Sequence, residues 1–148
     1  MTIAIPIFHG ENEVETCEKR RVLLDADILC YQLGASMMPH PFLEGVLLPL
    51  SASTVCDLVD DMINYIREAC GTQDVLCMIT GDNNFRKEVA KQVPYKGNRD
   101  HTVTRPEHYD TVRAHILDSY PHVLAEGREA DDVMGELQLK DWKKKKTR

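Results

Sequence analysis

The chain has 148 residues, 43% of them hydrophobic, which is enough for one buried core and hence one domain. A formal charge of −6 and an isoelectric point near 5.5 argue against a general nucleic-acid coat protein and against adsorption to anionic membranes. Five scattered cysteines with no C-x-x-C pair argue against a zinc knuckle or disulfide framework and read as reduced, buried thiols of a cytosolic protein. No stretch has the length of a membrane span, and the amino terminus lacks a basic-then-apolar signal pattern.

Residues 1–20 join an apolar run, TIAIPIF, to an acidic segment, and are expected to form an arm or an edge strand, since Pro6 cannot serve a central ladder. RVLLDADIL, residues 21–29, is different. Its continuous run Val22-Leu23-Leu24 predicts a parallel strand covered on both faces, ending in Asp25 and Asp27. Ile28 to Ser36 predicts a short helix. Residues 37–52 hold three prolines and predict a loop with at most one strand, over Gly45 to Leu48. From Thr54 to Ala69 the residues Val55, Leu58, Val59, Met62, Ile63 and Ile66 recur at helical spacing, with Gly71 placed to end the helix. Asp74 to Thr80 predicts a second buried strand, running into the turn GDNNFR with Asp82.

Beyond that turn the periodicity breaks and the local charge reverses: between Arg86 and Arg105 six Lys or Arg face two acids, a net of +4. Pro106 suits the first turn of a helix reaching Tyr120, with Tyr109, Val112, Ile116 and Leu117 facing inward. Val123 to Ala125 predicts a third strand, Gly127 a turn, and Glu129 to Trp142 a last helix, packed down by Trp142 and followed by a basic tail over 143–148. Strands alternating with helices over residues 21–142 give an α/β fold with a mostly parallel central sheet flanked by helices.

Ligands of open α/β sheets collect at the carboxyl ends of the strands, where this chain places its acids. Singly, each acid has an ordinary explanation. Asp25 or Asp27 caps a helix as readily as it binds a ligand, Asp82 lies in a common turn sequence, and Glu129, Asp131 and Asp132 suit the start of a helix. Gathered on one edge they repel unless a hard cation sits among them, which implies Mg²⁺ or Mn²⁺ with oxygen ligands. The strip holding Arg86, Lys91, Tyr95, Lys96 and Arg99 offers point charges, a bidentate fork and a stacking face, all suited to a phosphodiester chain. Metal-assisted attack of water on phosphorus is the chemistry these parts predict. His101, His108, His115 and His122 recur every seven residues and read as solvated surface without acid partners.

LLDADILCY, GDNNFRKEVA, PYKGNRD and EGREADDVMG resemble, in order and spacing, the catalytic N-terminal part of the bacteriophage 5′-to-3′ exonucleases and flap endonucleases. These are relatives of the 5′-nuclease domain of bacterial DNA polymerase I, within the PIN-like group, and the likeness covers about residues 21–138. The resemblance implies that Asp25, Asp82, Glu129, Asp131 and Asp132 ligate Mg²⁺ or Mn²⁺, while Asp27 has no such firm counterpart. It implies that Lys96 and Arg99 contact the scissile phosphate, with Tyr95 stacking on a base, so that Lys96, Arg99, Asp25 and Asp131 carry catalysis. The implied substrate is DNA, or an RNA–DNA primer, with a free or flapped 5′ end, processed during phage replication in the host cytoplasm. Family members continue past the third acidic block into a strand with paired aspartates and a helix-hairpin-helix. The chain is therefore expected to be a C-terminally truncated, short or split version, completed by a second copy or another polypeptide. The alternative expectation is a binding module for nucleic acid or protein that does not turn over.

Overall fold

The computed structural model describes residues 20–82 and 104–146. In chain order these form β1 (Val22–Asp25), α1 (Ala26–Gln32), β2 (Met37–Pro39), β3 (Leu47–Pro49), α2 (Ala52–Cys70), β4 (Val75–Thr80), α3 (Tyr109–Ser119), β5 (His122–Ala125) and α4 (Ala130–Lys146). Strands β1, β4 and β5 make a parallel sheet in the order β1-β4-β5. Val22 pairs with Val75 and Asp25 with Met78 on one side of β4; Cys77 pairs with His122 and Thr80 with Ala125 on the other.

The sequence of β4, VLCMIT, shows why the sheet is covered on both faces. Side chains alternate along a strand, so Val75, Cys77 and Ile79 enter one core with α1, α2 and α3, while Leu76 and Met78 enter a second with Ala130, Val133, Met134 and Leu137 of α4. Strand β1 repeats the division, with Val22 and Leu24 on the first side and Leu23 on the second. The expected α/β architecture with a parallel, helix-flanked sheet is what the chain forms.

Helix α2 begins where Ser51 accepts from the Thr54 N–H, at 3.2 Å, and ends where Gly71 takes a left-handed conformation, φ 63°. Its stripe Val55, Val59 and Ile63 is fully buried. Helix α3 starts later than expected. The Tyr109 N–H donates to the Pro106 carbonyl, so Pro106 forms a turn ahead of the helix rather than its first turn. Tyr109, Val112 and Ile116 are buried and Leu117 packs against them. Helix α4 runs on through Lys146, so part of the expected tail is helical. Trp142, expected to be packed down, stays exposed and lines a shallow cleft with Arg21, Leu23, Gln138 and Asp141.

The larger departure is in the segment expected as a loop with one strand over Gly45 to Leu48: β3 overlaps that strand, but it has a partner in β2. Met37–Pro39 and Leu47–Pro49 pair antiparallel as a hairpin, with Met38 opposite Leu48. At its tip the His40 Nδ1 accepts from the N–H groups of Phe42 and Leu43, both at 3.1 Å, and Gly45 supplies a positive φ of 75°. Prolines argue against a central strand but not against a two-stranded ribbon, whose outer positions need no N–H. Phe42 is 89% exposed there.

Two side-chain expectations are also corrected. Cys30 and Cys77 are buried free thiols, and burial pushes them up to about 12 and about 11, but Cys56 is only half-buried and Cys70, at the end of α2, is exposed. Cys17 lies outside the described residues. Among the histidines, His122 is exposed as expected and His101 lies outside the described residues, but His108 donates from Nε2 to the Leu50 carbonyl at 2.6 Å. His115 has the acid partner it was expected to lack: its Nε2 donates to Asp60 Oδ1 at 2.7 Å, and the Tyr120 hydroxyl donates to the same oxygen. Burial works to raise the Asp60 carboxyl, yet these two hydrogen bonds hold it below its ordinary range.

Gly34, just past α1, lies against the start of α3. An added Cβ would lie 2.3 Å from the Cys30 carbonyl oxygen and 2.9 Å from the Tyr109 nitrogen, and the Gly34 carbonyl already accepts from the His108 N–H at 3.1 Å. Neither neighbour is a flexible side chain. Gly34→Ala should therefore destabilise the fold by about 1–3 kcal/mol, read as a lower urea midpoint at an unchanged slope. Among the described residues no helix is long and apolar enough to cross a membrane.

Candidate active site at the carboxyl edge of the sheet

Because the three strands are parallel, the residues that follow them emerge on one side. Asp25 closes β1, Asp82 follows β4 by two residues, and the turn after β5 leads into the start of α4. The turn itself is stitched to β4: the Gly81 N–H donates to Ala125 O and the Gly127 N–H to Asp82 O, both at 3.0 Å. A side chain at Gly81 would be tight, since a Cβ there would lie 3.0 Å from the Ala125 carbonyl and from the Glu126 carboxylate.

Asp25 does two things at once. Its Oδ1 accepts from the Asp27 N–H at 3.1 Å and so caps α1, the ordinary role that the sequence left open. Its carboxyl is also pushed above its usual value, first by burial, then by Asp27 and, after the opposing hydrogen bond, by Asp131. Asp131, exposed in the first turn of α4, thus stands within electrostatic reach of Asp25 although the two lie near opposite ends of the chain.

The remaining acids are placed differently. Asp132 Oδ2 accepts from the Glu129 N–H at 3.3 Å, the reciprocal half of a capping box at the start of α4. The Asp82 side chain is exposed at the same edge. Asp27 does not share the direction of Asp25, because the strand gives way to α1 at Ala26 and the period-two alternation ends there. Its carboxylate turns to the sheet, accepting from the Thr80 N–H at 3.2 and 3.3 Å and facing Arg113 Nη1 at 4.0 Å. Arg86, Lys91, Tyr95, Lys96 and Arg99 lie outside the described residues.

Sequence reasoning passed over Thr80 and Arg113. Thr80 looked like the last residue of a buried strand. Arg113 adjoins the buried stripe of Tyr109, Val112 and Ile116, and a cation held there calls for an acid on a neighbouring element, which would have pointed to Asp27.

The edge thus places Asp131 within electrostatic reach of Asp25 but does not gather all five expected ligands. Among the described residues no group of three or more His, Cys, Asp or Glu side chains is arranged to hold a metal ion. Two mutually repelling carboxylates do fit one hard cation whose remaining positions are filled by water and substrate oxygens, the usual coordination of Mg²⁺. No family model matches the chain, and neither a curated protein nor a solved structure is significantly similar to it.

Proposed function

We propose that the chain is a divalent-metal-dependent phosphodiesterase acting on DNA, of the 5′-to-3′ exonuclease or flap endonuclease type, with a PIN-like fold. The observation that carries this reading is the emergence of Asp25 and the start of α4, with Asp131, at the carboxyl edge of a parallel sheet, close enough for Asp131 to add to the upward shift that burial and Asp27 impose on the Asp25 carboxyl. In this reading Asp25 and Asp131 hold Mg²⁺ or Mn²⁺, with Asp82, Glu129 and Asp132 close to the same edge. A cation held there would supply the charge that makes water nucleophilic at neutral pH and that stabilises the departing oxygen. Lys96 and Arg99 grip the scissile phosphate, and Arg86, Lys91 and Tyr95 track the adjoining strand. The substrate is DNA with a free or flapped 5′ end, or an RNA–DNA primer. The work belongs in the cytoplasm, that of the host cell if a phage encodes the chain.

A second reading is favoured by one observation, the absence of any three-ligand group among the described residues. In it the same fold binds nucleic acid or a protein without turning it over, in phage replication or against a host factor.

The test is incubation of the purified chain with a 5′-labelled flap substrate in Mg²⁺ or Mn²⁺, beside a metal-free binding titration at several salt concentrations. Cleavage that needs the metal supports the nuclease; steeply salt-dependent binding with no product in either metal leaves the binding module. In both readings Lys96→Ala combined with Arg99→Ala should weaken DNA binding and reduce the salt slope by about 2. An unchanged slope removes the basic strip from the interface.

A further inference from the structure

We infer that Thr80 is a positioning residue for the proposed metal site: it ties the first turn of α4, which carries Asp131, to the end of the sheet where Asp25 lies. The inference rests on the metal-nuclease reading given above. Ala130 is the first residue of α4 and only 2% exposed, and its N–H is one of the donors that a helix start leaves without an intrahelical partner. That N–H donates to Thr80 Oγ1 at 3.0 Å. Asp131 is the next residue.

Thr80 is itself held from two sides. In the sheet it stands opposite Ala125 of β5. Its own N–H is taken by the Asp27 carboxylate, which Arg113 of α3 faces across 4.0 Å. A run of contacts thus leads from α3 through Asp27 and Thr80 to the helix that carries Asp131. Asp25, two residues before Asp27, stands at the other end of the same junction. A β-branched side chain restricts χ1 and suits a strand, so threonine offers its oxygen to Ala130 from a narrow set of directions. On this account Asp27 braces the site instead of ligating the metal.

The tests use the full chain and two variants. Thr80→Val keeps the shape and removes the oxygen; Thr80→Ser keeps the oxygen. Hydrogen exchange at the Ala130 amide is read without metal, Mn²⁺ binding by calorimetry, and flap cleavage as separate kcat and KM. Thr80→Val should expose the Ala130 amide and weaken Mn²⁺ binding about 10-fold, with kcat lowered and KM unchanged, and Thr80→Ser should restore all of these. Mn²⁺ affinity unmoved in Thr80→Val, or a serine variant as impaired as the valine one, overturns the positioning role. A parent chain that neither binds Mn²⁺ nor cleaves overturns the nuclease reading instead. The amide arm then decides the tie alone: protection lost with valine and regained with serine supports it, and protection unchanged with valine overturns it.

Discussion

In the nuclease reading, Asp25→Asn is expected to lower cleavage severely and, at neutral pH, to leave the fold more stable than the parent. Burial, Asp27 and Asp131 raise the folded pKa of Asp25 above its ordinary 3.8. The folded state therefore disfavours the ionised carboxylate relative to the unfolded chain. The neutral acid's contribution is fully present below pH 3.8 and is lost as pH rises through the folded pKa, so at neutral pH the charge costs stability. Asparagine removes the charge and still caps α1, being as good an N-cap as aspartate. Because Asp25 is partly exposed, solvent screening limits the gain to a few tenths of a kcal/mol, up to about 1. The gain should fade as pH drops through the folded pKa and be gone below 3.8. Cleavage should fall on the order of 10²–10³-fold, the usual loss when a charge-stabilising group is removed from a reacting centre. Urea midpoints at neutral and acid pH, beside the flap assay, measure both. A variant less stable than the parent at neutral pH would reduce Asp25 to a helix cap, and one that cleaves at the parental rate would end its catalytic role.

The second large effect lies in the core. Ile63 is fully buried with Val55 and Val59 on α2, in the cluster that also holds Val75, Cys77 and Ile79 of β4 and Val112 and Ile116 of α3. Ile63→Ala should destabilise by about 2–5 kcal/mol, the sum of lost transfer free energy and the cavity left behind, whereas Ile63→Val should cost about 0.5–1.5 kcal/mol. Against a total stability of about 5–15 kcal/mol, the alanine variant stands close to losing its fold. Thermal and urea unfolding give these values. Activity per folded molecule should persist, since Ile63 belongs to the core and not to the strand ends where the acids sit. A valine variant as damaged as the alanine one would mean that shape, not volume, governs this position.

The parts of the fold legible in the sequence are those whose signals are local. Val22-Leu23-Leu24 and the VLCMIT run announce strands buried on both faces, and the α2 stripe with its terminal glycine announces a helix and its end. The β2–β3 hairpin was hidden by its prolines, which deny a central strand but are harmless in a narrow ribbon. The partnership of His115 with Asp60 and Tyr120 was hidden by distance, since only the packing of α3 on α2 joins them. At the candidate site the sequence placed the acids at the right edge, because parallel strands leave no other exit for them. Their grouping was not legible. Where α1 starts decides that Asp27 turns inward to Thr80 while Asp25 caps the helix within electrostatic reach of Asp131, and a shift of one residue in that boundary would change the set.

The order of the strands also governs when the site can exist during folding. The central strand pairs residue 75 with residue 22 on one side and residue 77 with residue 122 on the other, so no part of this sheet closes through a local turn. Such long-range pairing is slow to nucleate. Helix α2 and the hairpin form through local contacts, but Asp131 does not come within reach of Asp25 until the helix after β5 has docked. Under the nuclease proposal, a partly folded chain would therefore lack the carboxylate pair that cleavage requires.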